Sequence, residues 1–458
     1  MSAEGEPRGD RAVNARLLRT AWPLVVAMLG ETVMGVVDTK IVGGLGPVAL
    51  GGVALGTTIM WLTYAGVHGL MRGVNVQVSH AIGRGVRAEA AAFASAGATM
   101  GALAGVVIAL ACRDLSAPLR WIGIEEAMVP VASEFVAAVT LAAPANGALI
   151  ALIQHRQAVG EVRAVMAVGI TGNAINAVLA WALVYGHLGL PSLGVAGAGY
   201  ATGLSETICL AILGWLLLRE RRRAPRGSRL SLGAAMKDVA RVGVPAAIER
   251  GGETMAFATF NTVLGSIAAA EIAGHQITLT VMRVSFLPGL ALCEATTVLV
   301  GQALGARSLA RADQVVRSGV LLAFAFMGTC GVAFAKFGGQ LAAWFTADPE
   351  VAAVATKLLL AAALLQLVDA PKVVLSGALR GAKDTRAIAL IGVVSIWTFV
   401  PTASLVLGKT LGLGALGGWI GLITHTVVGA TLYRWRWRRG GWRQAYRDAA
   451  RAAPAGSS

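Results

Sequence analysis

An all-α polytopic membrane protein, with twelve transmembrane helices in two six-helix lobes related by pseudo-symmetry, is the fold class this sequence predicts. Three observations predict it. The chain of 458 residues is 56% hydrophobic and only 14% charged, with a mean hydropathy of +0.68, where a soluble protein carries about 25% charged residues. Apolar runs of roughly 20 residues recur from end to end, the length a helix needs to cross a bilayer with its backbone satisfied internally. Finally, a constant offset of 222 residues matches Pro23 to Pro245, Glu31 to Glu253, and SHAIGRG (79–85) to GQALGAR (301–307).

Spans are expected near 17–43, 48–74, 88–111, 129–151, 164–186, 195–218, 242–266, 272–301, 318–335, 351–376, 387–408 and 412–433. They group as an N-terminal lobe (1–218), a basic cytoplasmic linker (219–241), a C-terminal lobe (242–435) and a basic cytoplasmic tail (436–458). Six helices per repeat leave both halves in one orientation, and a parallel repeat of this kind places a binding site at the midplane between halves. The first 20 residues are charged and run directly into the first span, so no cleavable signal is expected.

The net charge of +15 does not indicate a nucleic-acid partner. The linker holds eight Lys and Arg and the chain from Arg434 onward seven, against four (Arg113, Arg120, Lys336 and Lys409) in all the loops of the opposite side. That asymmetry is the positive-inside rule, with both termini cytoplasmic and the partner a lipid bilayer. The four cysteines are scattered without a CxxC and indicate neither a metal nor a disulfide. Nothing resembles a phosphate loop, an HExxH zinc site or a nucleophile elbow, so neither an enzyme nor a cofactor is expected.

Carboxylates inside apolar spans are costly and mark function by default. In span 1, Glu31 and Asp38 are seven apart and share nearly one face. Span 7, GVPAAIERGGETMAF (243–257), puts Glu249 and Glu253 one helical turn apart, after Pro245. Span 10 carries Asp369, and Pro371 cannot donate to the carbonyl of Leu367, which leaves a free oxygen one turn away. A carboxylate beside freed carbonyls suits sodium, and a buried carboxylate suits a proton equally well. Two cations complicate these sites: Arg250 adjoins Glu249, and Lys372 lies one turn from Asp369. They either neutralise the acids permanently or leave when a proton or substrate arrives. Pro23, Pro245 and Pro371 are the expected hinges. The turn Arg380–Asp384 reads as a cytoplasmic helix end and a candidate gate.

GVVDTKIVGGLGPVALGGVALG (35–56), GQALGARSLARA (301–312), FTADPEV (345–351), GALRGAKDTR (377–386) and GLGALGGWIG (412–421) together resemble the multidrug and toxic compound extrusion (MATE) transporters. AGHQITL (273–279) and the GAKD turn are most similar to that family's NorM-like branch. The resemblance spans residues 16 to 442 and implies a V-shaped, two-lobed antiporter in the cell's inner membrane. It would bind a lipophilic, usually cationic, drug-like compound between the lobes and export it in exchange for H⁺ or Na⁺. The resemblance places the essential acids on Glu253 and Asp369, with Na⁺, if used, at these two, and a span-1 acid on Asp38. In span 5 it points to Asn176, four residues before a position that is an acid in several members and is Ala180 here. A complete first-half site is therefore not expected, and weight falls on the second half. The protein is taken as a monomer. Two rivals remain: a lipid-linked saccharide flippase of the same superfamily, which would use Arg250, Arg283 and Lys372 for a pyrophosphate, and a non-transporting membrane scaffold or receptor.

Overall fold

The computed structural model describes residues 10–223 and 230–452; the middle of the basic linker and both chain ends lie outside the described residues. The first half comprises α1 (Asp10–Gly43), α2 (Pro47–Gly83), α3 (Arg87–Ala111), α4 (Ser116–Trp121), α5 (Met128–Thr140), α6 (Ala143–Val159), α7 (Val162–Tyr185) and α8 (Gly194–Arg223). The second comprises α9 (Leu232–Gly265), α10 (Ala269–Gly305), α11 (Leu309–Phe345), α12 (Pro349–Gly381), α13 (Thr385–Ala403), a π-helical segment (Ser404–Thr410), α14 (Ala415–Arg439) and α15 (Gly441–Ala452).

Ten of these helices are long and apolar enough to cross a membrane, counting α13 and its π-helical extension as one; the pair α5 and α6, bent by 57°, makes an eleventh. Helix α9 matches them in length, with 34 residues, but carries Lys237, Asp238, Arg241, Glu249, Arg250 and Glu253. The expected twelve spans are approximately met, the twelfth being this charged helix.

The repeat extends through whole helices. Shifted by 222, Asp10–Gly43 falls on Leu232–Gly265 and Pro47–Gly83 on Ala269–Gly305. The same shift carries Arg87, which opens α3, to Leu309, which opens α11, and Val159, which ends α6, to Gly381, which ends α12. Helix α12 is therefore the unbroken equivalent of α5 and α6.

The described helices form two compact units, one of Pro23–Ala247 and the other of residues up to Trp22 together with Ile248 onward. The chain passes between them inside helices, at the residue before Pro23 and two residues after Pro245. In the first unit, Gly69 and Gly73 of α2 lie against backbone atoms of Ala247 and Val239 of α9, and Gly243 lies against Leu70. Gln77 donates to the carbonyl of Asp238 at 2.8 Å. The second unit takes the start of α1: Arg16 donates to Gln302 Oε1 at 3.2 Å, and Gln314 donates to Asp10 at 2.9 Å.

Glycine sets the closest crossing of the first unit. A Cβ on Gly101 of α3 or on Gly147 of α6 would strike the backbone of the other, so the two helices touch main chain to main chain, as small residues permit in membranes. The second unit has a bulky core instead, around Phe260, Leu358, Leu359 and Trp419. Its α10–α12 crossing is tied by Thr297, whose hydroxyl lies 3.0 Å from the carbonyls of Cys293 and Gly377. The tail is tied down as well. Trp437 and Arg443 both donate to Asp313 of α11, and the Arg443 guanidinium lies over the Trp437 and Trp442 rings.

Gly101→Val and Gly147→Val should each force α3 and α6 apart and destabilise the first unit by about 1–3 kcal/mol, the usual effect of overpacking. Thermal unfolding of the detergent-purified variants should show a lowered midpoint, whereas Gly339→Val, at a position with open space around its Cβ, should leave it near wild type.

Candidate functional site

Most of the predicted charge lies in the second unit, where helices α9, α10, α12, α13 and α14 meet. Glu249 is 5% exposed and Arg380 is 2% exposed. Arg380 Nη2 lies 3.3 Å from Oε1 and 3.4 Å from Oε2 of Glu249, one nitrogen straddling both oxygens. Its Nη1 is 3.6 Å from Cys293 Sγ, and Glu294 acts on it through its charge. The turn expected at Arg380–Asp384 therefore starts later, and Arg380 belongs to the helix. Helix α12 continues to Gly381 and places the guanidinium inside the bundle, because two carboxylates and a thiol await it there. The turn proper is Ala382–Asp384, and Lys383 occupies a left-handed conformation (φ 64). Asp384 receives two hydrogen bonds from Arg436, at 2.6 and 3.1 Å, pinning the α12–α13 turn to α14.

Glu249 is paired with Arg380, and its neighbour Arg250 is half-buried. Glu253 lies one turn further along α9, half-buried, and acts with Glu249 and Arg380 on the hydroxyl of Tyr433. Tyr433 is 1% exposed and donates to the carbonyl of Ile388 at 3.3 Å. A Cβ on Gly392 of α13 would lie 3.2 Å from that hydroxyl and 3.8 Å from Glu249 Cγ, so α9, α13 and α14 converge on this point.

A second polar group lies two turns away on the same helices. Lys372 and Arg380 are eight apart on α12, and His425 and Tyr433 eight apart on α14, about 12 Å along each axis. Lys372 Nζ is 2.8 Å from His425 Nε2, and His425 Nδ1 is 2.8 Å from Ser395 Oγ on α13. Asp369, half-buried, lies one turn before Lys372, whose charge acts on it. Pro371 sits inside a continuous helix, so the carbonyl of Leu367 lacks its usual donor as expected. Pro23 and Pro245 also lie within continuous helices.

The first unit brings its candidates together less closely. Glu31 is exposed on α1 and Asp38 half-buried. Asn173 lies beside α1, its Nδ2 3.1 Å from where a Cβ on Gly30 would stand. Asn176 is buried; its Nδ2 lies 3.4 Å from Thr202 Oγ1, and its Oδ1 has no partner. Ala180 is 1% exposed, with no carboxylate to complete a site. Among the described residues no group of three or more His, Cys, Asp or Glu side chains could hold a metal ion. His275 is fully buried between Phe260 and Trp419 and accepts from the Trp419 indole at 3.1 Å, a packing role. Arg283 is exposed on α10 while Lys372 is engaged with His425.

Tyr433, His425 and Ser395 were not among the predicted site residues, and Arg380 was read only as part of a gating turn. The available signal was polar side chains inside apolar runs: His425 in GLITHTVVGA, and Arg380 before Gly381. Ser395 and Tyr433 gave no signal, since hydroxyls are common in transmembrane helices.

Removing one member of the buried pair should cost about 3–5 kcal/mol through the uncompensated charge left behind. Glu249→Gln and Arg380→Met should each lower the unfolding midpoint of purified protein. Their combination should lower it by less than the sum of the two, the mark of direct coupling.

The MatE family model matches residues 23–182 and 245–405, one copy per half. A relative described as "Probable multidrug resistance protein NorM", from Geobacillus kaustophilus, is 30% identical over 438 residues, covering 93% of this chain and 95% of its own. "Multidrug resistance protein MdtK" of Cronobacter sakazakii is 28% identical with the same coverage. The crystal structure of the eukaryotic MATE transporter AtDTX14 superimposes with a TM-score of 0.85 at 20% identity, covering 96% of this chain and 99% of that one. A MOP superfamily transporter from Pyrococcus furiosus gives 0.82 at 21% identity, covering 96% of this chain and 100% of that one.

Proposed function

Because the chain belongs to the MatE family, we propose that it is a multidrug efflux antiporter of the cell's inner membrane, exporting lipophilic, cationic organic compounds in exchange for H⁺ or Na⁺. The observation that carries this is the concentration of acids in the second unit, with Glu249 and Glu253 on α9, Glu294 on α10 and Asp369 on α12. The names of relatives from Geobacillus and Cronobacter support the substrate class.

Two acids take the coupling role in this reading. Glu249 is paired with Arg380, and in this reading Glu253 and Asp369 hold a proton, a sodium ion or the substrate's charge. The freed carbonyl of Leu367 beside Asp369 offers a neutral oxygen to a hard cation. Binding there must favour one of two conformations over the other, or no coupling results. Hinging at Pro371 within α12, and at Pro23 and Pro245 near the points where the chain changes unit, supplies the two conformations. Asp38, Glu31 and Asn176 are auxiliary, since Ala180 leaves their side of the repeat without a second carboxylate. Both termini are cytoplasmic and the protein acts as a monomer. A pyrophosphate-binding flippase using Arg250, Arg283 and Lys372 is disfavoured because Lys372 is engaged with His425 and the relatives are named multidrug resistance proteins.

Glu253→Gln and Asp369→Asn should each abolish ethidium resistance in a host lacking its own efflux pumps, at wild-type amounts of membrane-inserted protein. Asp38→Asn should reduce resistance only in part. Wild-type resistance in both second-unit variants would overturn the proposed coupling site.

A further inference from the structure

The hydrogen bonds around His425 admit a single assignment. Ser395 Oγ lies 2.5 Å from the carbonyl of Ile391 and 3.2 Å from that of Gly392, so its one hydrogen is donated to the backbone. The oxygen then accepts from His425 Nδ1. An ammonium has donors and no acceptor, so Lys372 donates to Nε2. His425 is therefore a neutral imidazole whose tautomer is fixed at both ends, and its exposure is only 2%. The lysine stem has a track made for it: a Cβ on Gly429 would lie 3.2 Å from Lys372 Cε and 3.5 Å from its Cδ.

Lys372 has a second anchor within reach. Asp369 is three residues earlier on α12, and side chains at that spacing are neighbours on one helix face. The ammonium can therefore pass from His425 to Asp369 by changing rotamer, with no movement of the backbone. No comparable apparatus exists in the other half. Positions matched by the offset of 222 are Gly147 for Asp369, Ile150 for Lys372 and Gly203 for His425. The fold builds the equivalent helices without these groups, so packing does not require them.

The charged groups around this point are few. From α12 come Asp369 and Lys372, and Arg380 two turns on; α13 presents the Ser395 hydroxyl. On α9, Glu249 is paired with Arg380, and Glu249 and Glu253 act through their charges on Tyr433, two turns along α14 from His425. Helix α10 presents His275, bonded to Trp419, and Glu294, beside Arg380.

We propose that Lys372 is a tethered counter-cation for Asp369, docked on His425 while the acid holds a mobile cation and returned to the acid when that cation leaves. His425 is then a positioning residue, and Lys372 a competitor built into the site. The inference rests on the reading of Asp369 as a coupling acid. Its consequence is that the carrier never buries a bare carboxylate during its return step, and that Lys372 limits how tightly a cation binds.

Binding of tetraphenylphosphonium to the detergent-purified full chain, measured by isothermal titration calorimetry, tests it. His425→Leu removes the dock and should weaken binding at least tenfold, a modest effect beside the interaction of unit charges a few ångströms apart. His425→Gln, whose amide oxygen can still accept from Lys372, should bind within a few-fold of wild type. Lys372→Met/His425→Leu should recover at least wild-type affinity, and Lys372→Met alone should bind several-fold more tightly than wild type. Wild-type affinity in His425→Leu, or a double variant as weak as it, would overturn the proposal. Should His425→Leu not fold, unchanged or weaker binding by Lys372→Met would overturn it alone. Asp369→Asn separates the two levels: wild-type binding there refutes the coupling site itself, whereas lost binding there with an unaffected His425→Leu refutes only the tether.

Discussion

A buried guanidinium sets the terms for the second unit. Arg380 is enclosed on α12 with Glu249, Glu294 and Cys293 around it. A charge in that position is tolerated only with partners on the facing helices, so α9 and α10 must present their acids to α12 at fixed heights. Glu249 is thereby fixed, and Glu253, one turn along, acts with it through its charge on Tyr433. The ion pair accordingly fixes Glu249 in a structural role on α9.

The internal repeat separates fold from function more sharply than composition does. The two halves share helix lengths and starting points under one offset, yet differ in what those helices carry. Where the second half has Glu249, Asp369, Lys372, Arg380 and His425, the first has Ala27, Gly147, Ile150, Ala158 and Gly203. The first half uses the freedom for close backbone contact, as at Gly101 and Gly147. Glu249 and Arg380 tie the second half's helices together, whereas Asp369, Lys372 and His425 stand where the first half assembles without polar groups.

Much of this was legible in the sequence. Span positions follow from hydropathy, and the repeat was visible from Pro23 and Glu31 against Pro245 and Glu253. The acids stood out because carboxylates are rare in apolar runs. The partners did not stand out, for a physical reason: an ion pair between α9 and α12 joins residues 131 apart, and single-sequence periodicity carries no information about which helix faces which. Arg380 was misplaced because Gly381 and Lys383 read as turn chemistry, although the helix continues to Gly381. The bend between α5 and α6, the π-helical segment and the passage of α1 and α9 between units lie beside Pro144, Pro401, Pro23 and Pro245, but a proline marks a break without saying which form it takes, which tertiary packing decides.

Proteoliposomes containing purified protein, with an imposed gradient of H⁺ or of Na⁺ and a fluorescent cationic dye, test the central claim most directly. Wild-type protein should move dye against its gradient when one of the two cation gradients is imposed, and Asp369→Asn should not move it under either. Dye transport by Asp369→Asn at the wild-type rate would contradict the assignment of coupling to the second unit.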